Sequence, residues 1–67
     1  MVILYTLPTC GICKMIKKKL DQKNIQYEER NLNDYLSFLQ TDRAPVLQTA
    51  ENIYNSPIEI NNWINNQ

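Results

Sequence analysis

Val2-Ile3-Leu4-Tyr5-Thr6 runs through Leu7-Pro8-Thr9 into Cys10-Gly11-Ile12-Cys13, and a lysine-rich stretch follows. Residues 2–6 make a short, largely apolar run suited to a buried strand, and Leu7-Pro8-Thr9 ends it. From 11 to 23, Cys13, Ile16 and Leu20 recur at intervals of three and four while Lys14, Lys17 and Lys18 fall elsewhere, which predicts an amphipathic helix. Strand, break and helix therefore bracket the two cysteines. Cys10 falls at the helix start, where unpaired backbone N–H groups and the positive end of the macrodipole favour a thiolate over a thiol. Cys13 falls one turn on, within reach of a disulfide that can form and break without large backbone movement. The reading is a redox dithiol.

Three blander uses of a cysteine pair fit less well. Structural zinc takes four Cys or His ligands, and this chain has two cysteines and no histidine, so only a shared or carboxylate-completed site would serve. A purely structural staple is poorly rewarded across so short a loop, because loop-closure entropy grows with loop length. A buried, apolar role suits Cys13 but not Cys10, which stands in the Thr9-Cys10-Gly11 turn.

Composition narrows the remaining functions. A chain of 67 residues gives one small domain, 1–67, with a thin core and no room for a second catalytic lobe. Seven basic residues balance seven acidic ones, so no net field recruits nucleic acid or a membrane surface. The lack of histidine removes imidazole acid/base chemistry and the usual metal ligand, leaving the thiols as the reactive groups. The apolar start, residues 1–7, is too short for a signal-peptide core or a membrane span, and Pro8 follows it. The expectation is a cytoplasmic monomer whose cysteines are kept mostly reduced, which suits a cycling pair.

The other elements are read by period and punctuation. Ile25, Tyr27 and Glu29 alternate with Gln26 and Glu28, which predicts a strand over 25–29, with a turn or helix cap at 31–33. Tyr35, Leu36, Phe38 and Leu39 make one face of a short helix ending near Thr41. Val46 and Leu47 after Pro45, then Ile53 and Tyr54 after the turn at 49–52, form a hairpin. Ser56-Pro57-Ile58-Glu59 has the pattern of a capping box with proline at the first helical position, and Ile60, Trp63 and Ile64 share a face behind it. The order β-α-β-α-β-β-α, with a right-handed crossover first and a tight hairpin last, gives an α/β fold: a mixed four-stranded sheet flanked by helices.

With these residues in view the chain resembles the glutaredoxins and glutaredoxin-like proteins of the thioredoxin superfamily. The match rests on the opening Val2-Ile3-Leu4-Tyr5-Thr6, on Pro8-x-Cys10-x-x-Cys13-Lys14, on Ile25-Gln26-Tyr27-Glu28-Glu29 and on Ala44-Pro45-Val46. From the residues alone Pro45 is an ordinary proline opening a strand, since cis bonds are roughly one in twenty X-Pro bonds in folded proteins. The resemblance implies instead a cis Ala44–Pro45 bond facing the cysteines, with the Ala44 backbone open to an extended substrate segment. It further implies a thioredoxin-like fold and a dithiol-disulfide oxidoreductase, with Cys10 as nucleophile and Cys13 as resolving thiol. Pro8 and Thr9 would shape the loop, Gly11 and Ile12 would make the turn, and Arg43 and Ser56 would be the anion ligands.

No tightly bound cofactor is expected, and glutathione is one electron donor that the resemblance implies. Two departures weaken that expectation: Leu7 stands where the family often has lysine, and Asn55-Ser56-Pro57 replaces a glycine-rich turn. The other donor is thioredoxin reductase, as for glutaredoxin-like proteins that feed ribonucleotide reductase. Two further uses of the fold stay open. One is a redox-sensing regulator, whose relatives and the related arsenate reductases carry a longer helical insertion than 31–43 allows. The other is an iron–sulfur carrier using Cys10 with glutathione in a dimer, which the presence of Cys13 disfavours.

Overall fold

The computed structural model describes residues 2–41 and 43–67; Met1 and Asp42 lie outside the described residues. Strand β1 (Val2–Thr6) leads to helix α1 (Gly11–Gln22) and strand β2 (Tyr27–Asn31). A 3-10 turn (Leu32–Tyr35) runs into the short helix α2 (Leu36–Leu39), followed by β3 (Val46–Gln48), β4 (Ile53–Tyr54) and α3 (Pro57–Asn65). The four strands lie in the order β2-β1-β3-β4. β1 pairs parallel with β2 and antiparallel with β3, which pairs antiparallel with β4. The expected element order and mixed sheet are both present.

β1 is central, and its period of two sends alternate side chains to opposite faces. Val2 and Leu4 join Ile16 and Leu20 of α1 and Ile60 and Ile64 of α3 in the larger core cluster. Ile3 and Tyr5 point the other way, where Tyr5 packs with Leu32 and Val46, and Tyr35 and Leu39 close over them. Register confirms the alternation: Leu4 lies opposite Leu47 and Tyr5 opposite Val46. Burial on both faces explains why residues 2–5 read as one unbroken apolar run. Tyr5 is the core aromatic, its hydroxyl donating to Gln48 Oε1 at 2.7 Å and its ring meeting Tyr35 edge-on at 5.2 Å. Helices α1 and α3 run in the same direction, since Lys19 Nζ donates to Asn61 Oδ1 and Lys23 Nζ to the Gln67 carbonyl at 3.5 Å.

Three details depart from the expectations. β2 begins at Tyr27 instead of residue 25, because the chain must first leave α1: Asn24 takes a left-handed φ of 57° and the Ile25 N–H returns to the Leu20 carbonyl at 3.0 Å. Ile25 still packs on the larger core, so its apolar signal belongs to the turn and not to the ladder. The strand continues through Arg30 and Asn31, polar residues tolerated on an edge strand and useful there against unwanted pairing. Second, α3 starts at Pro57 as expected, but the Ser56 side chain makes no capping hydrogen bond, so the box is a pattern without its contact. Third, Tyr35 belongs to the 3-10 turn, not to α2, and Gln40 ends α2 with a left-handed φ of 55°. Asn31 is a cap, its Oδ1 accepting the Asn33 N–H at 2.9 Å. Among the described residues no helix is long and apolar enough to cross a membrane.

Candidate functional site

Cys10 is the N-cap of α1, with an extended backbone (φ −87°, ψ 102°). Its N–H donates to the Leu7 carbonyl at 3.1 Å, which closes the turn that Pro8 and Thr9 make. Its Sγ accepts the Cys13 N–H at 3.1 Å, so sulfur occupies the place that a Ser or Asp oxygen takes at an ordinary N-cap. An orphan donor at the helix start is thereby aimed at the sulfur that would carry negative charge after reduction. Cys10 and Cys13 are joined as a disulfide with their Cα atoms 5.3 Å apart, inside the usual range for such a bond.

The two sulfurs have unequal surroundings. Cys13 is 1% exposed, on the face of α1 that also carries Ile16 and Leu20. Cys10 is only half-buried, and Gly11 and Ile12 beside it are exposed. A Cβ built on Gly11 would meet nothing within 4 Å, so the space above the turn is open to an incoming molecule and not filled by the protein.

A groove of about 370 Å³ lies against the disulfide, between α1 and the ends of β1 and β2. Cys10, Cys13, Lys14 and Lys17 form its helix wall. Thr6, Glu29, Arg30 and Asn31 form the strand side, and Leu7 and Pro8 close one end. Thr6 Oγ1 donates to Glu29 Oε2 at 2.7 Å, and Lys17 Nζ approaches the same oxygen at 3.2 Å. The hydrogen bond from Thr6, then that from Lys17, holds the Glu29 carboxyl below the usual carboxylate range, against the smaller effect of desolvation. This three-residue contact ties α1 to both parallel strands at the disulfide end of the sheet. Among the described residues no three His, Cys, Asp or Glu side chains come together as a metal site.

The sequence-predicted site residues divide between two sides of the disulfide. Pro8, Cys10 and Cys13 line the groove; Thr9 stands exposed in the turn before Cys10, and Gly11 and Ile12, expected to make the turn, stand exposed instead as the first residues of α1. Arg43, Ala44 and Pro45 precede β3, whose Val46 lies opposite Tyr5, so they belong to the sheet end from which the cysteine loop leaves. The Ala44–Pro45 bond is cis, as the resemblance implied, Pro45 is buried and Arg43 is exposed. Ser56 opens α3 at the same end, because α3 and α1 are parallel. The groove walls include none of Arg43, Ala44, Pro45 and Ser56. Sequence reasoning missed Thr6, Lys17, Glu29, Arg30 and Asn31. The four-residue step from Cys13 to Lys17 marked the helix wall, whereas the strand side depends on the pairing of Thr6 with Asn31, which no local pattern encodes.

The glutaredoxin family profile matches residues 2–43. A search of the curated proteins finds no match. Among solved structures, the thioredoxin-like protein BC3987 is 22% identical and superposes with a TM-score of 0.78 over 96% of this chain and 99% of its own. The glutaredoxin-like NrdH-redoxin from Escherichia coli is 19% identical, with a TM-score of 0.72 over 91% of each chain. A glutathione transferase homologue from Sulfitobacter, solved with glutathione bound, matches over 96% of this chain but 35% of its own, at 18% identity and a TM-score of 0.78. At these identities the likeness is one of fold, and the fold is thioredoxin-like.

Proposed function

The chain belongs to the glutaredoxin family, and from that premise we propose that it is a dithiol-disulfide oxidoreductase working through Cys10 and Cys13. The observation that carries this is the inequality of the sulfurs: one at the helix cap beside open space, the other buried one turn below. In the reduced protein the Cys10 thiolate attacks one sulfur of a target disulfide. A Cys10–target bond forms, the target S–S bond breaks, and the first target thiolate leaves and takes a proton. Cys13, deprotonated in turn, attacks Cys10 Sγ, which forms the Cys10–Cys13 bond and releases the second target thiol. Two electrons and two protons have passed to the target, leaving the oxidised protein seen in the structure.

Cys10 is the nucleophile because only its sulfur is both capped by a backbone N–H and reachable. Pro8, Thr9, Gly11 and Ile12 shape the approach, and Arg43, Ala44, Pro45 and Ser56 offer backbone and polar groups to an extended substrate on the other side. The cycle needs a reductant, and the two candidates are glutathione and thioredoxin reductase, the latter for a chain that serves ribonucleotide reductase. Leu7 packs against the smaller core cluster and supplies no charge, and Pro57 removes an N–H from the start of α3. Glutathione has two carboxylates to satisfy, so the reductase is the favoured donor.

The test is trapping. Cys13→Ser should accumulate a mixed disulfide between Cys10 and a disulfide substrate, visible as one added mass, while Cys10→Ser should give neither adduct nor turnover. Equal loss of activity in both variants with no adduct would exclude the assignment.

A further inference from the structure

The charge on α1 has no part in the sulfur exchange described so far. The chain is neutral overall, yet α1 carries Lys14, Lys17, Lys18 and Lys19 before its single acid, Asp21, near its end. The macrodipole favours acids at the start of a helix and bases at its end, so Lys19 in the last turn is well placed and Lys14, near the start, is not. Lys14, in the turn next to the disulfide, therefore sits where it costs helix stability. A local rule broken beside a reactive centre is a sign of use. Cys10, Lys14 and Lys17 are spaced by four and three, so they share one helix face, and that face is a wall of the groove. Lys17 is met by Glu29 at 3.2 Å, whereas Lys14 forms no ion pair with any described residue.

Resting on the oxidoreductase reading, we propose that this groove between α1 and β2 docks an acidic peptide segment of the target protein, next to the cysteine that Cys10 attacks. Lys14 takes the carboxylate nearer the reacting sulfur, and Lys17, already bridging to Glu29, takes the farther one. The lengths agree. Cys10 to Lys17 spans about 10 Å along a helix rising 1.5 Å per residue, and three extended residues of a substrate reach about 10 Å. At about 370 Å³ the groove is near the small end of the roughly 300–1,000 Å³ typical of ligand sites, enough for a few side chains and not for a folded element. The occupant has to be the redox target itself, because a segment seated here leads directly to Cys10.

The experiment compares kcat/KM for three disulfides: a small uncharged one, a peptide disulfide with Asp or Glu two and three residues from the cysteine, and the same peptide with Asn and Gln. The wild type should favour the acidic peptide over the neutral one by about three- to tenfold, the sum expected for two exposed ion pairs. The preference should vanish in about 1 M salt, where the Debye length is roughly 3 Å. Lys14→Gln with Lys17→Gln should bring the ratio to about one. Because the ratio is read, a general change in Cys10 reactivity cancels. A wild-type ratio of one, or a ratio that survives the double substitution, overturns the proposal. S-methylglutathione, which has the carboxylates but no thiol, is the competitor: competition lost in the double variant would assign the groove to free glutathione and also overturn it. No turnover of the uncharged disulfide would overturn the oxidoreductase reading itself; turnover without acidic preference overturns only the groove.

Discussion

Cys10 Sγ accepts the Cys13 N–H even in the disulfide, so the donor is in place before any charge develops on the sulfur. After reduction the thiolate inherits a preformed partner, together with the positive end of α1. Iodoacetamide should therefore alkylate Cys10 of the reduced protein rapidly at pH values where a free thiol, with a pKa of about 8.5, is still protonated. A rate that titrates like free cysteine would contradict this. Glu29 allows a second residue-scale test. Its carboxyl is held below the ordinary value of 4.5, so its stabilising contribution is complete above that value and is lost as pH falls through the depressed one. The stability difference between wild type and Glu29→Gln should shrink to nothing on acidification, and Thr6→Val should move that loss to higher pH; thermal melts across pH 2–7, roughly the carboxylate range, would read it. The cysteines were legible in the sequence by motif and position alone. Glu29 was legible only as a strand residue, because its partners come from β1 and α1, 23 and 12 residues away.

At the scale of elements, α1 and α3 bury one face of the sheet with few residues, so each is expensive to lose. Ile60→Ala removes a fully buried side chain from the larger core and should cost about 2–5 kcal/mol. Ser56→Ala, by contrast, deletes a hydroxyl that caps nothing and should cost well under the typical ~1 kcal/mol of a lost N-cap. Denaturant midpoints for the two variants would separate packing from capping at the same helix. Helices were legible because a spacing of three and four survives in Cys13, Ile16 and Leu20 and again in Ile60 and Ile64. β2 was displaced by two residues because Ile25 and Tyr27 both pack on the core, one from a turn and one from a strand, and burial pattern alone does not distinguish them. Ser56-Pro57-Ile58-Glu59 shows the converse, a signature that locates the helix start without making the bond it is named for.

For the whole molecule the disulfide is a small part of what keeps the chain folded. It closes a loop with a sequence separation of 3, and on the loop-entropy relation it is worth no more than about 2 kcal/mol. Reduction should lower the melting temperature modestly and leave the circular dichroism of the folded state intact, as the proposed cycle through a reduced form requires. A reduced form that is unfolded at room temperature would refute this. The parallel run of α1 and α3 has a different consequence. Strands contribute only small dipoles, but two helices pointing the same way add theirs, with both positive ends at the disulfide side. A molecule of zero net charge would thus still turn in an electric field. An approaching partner with an anionic surface would rotate it into register before the first contact, so collisions in the wrong orientation would be fewer than chance allows.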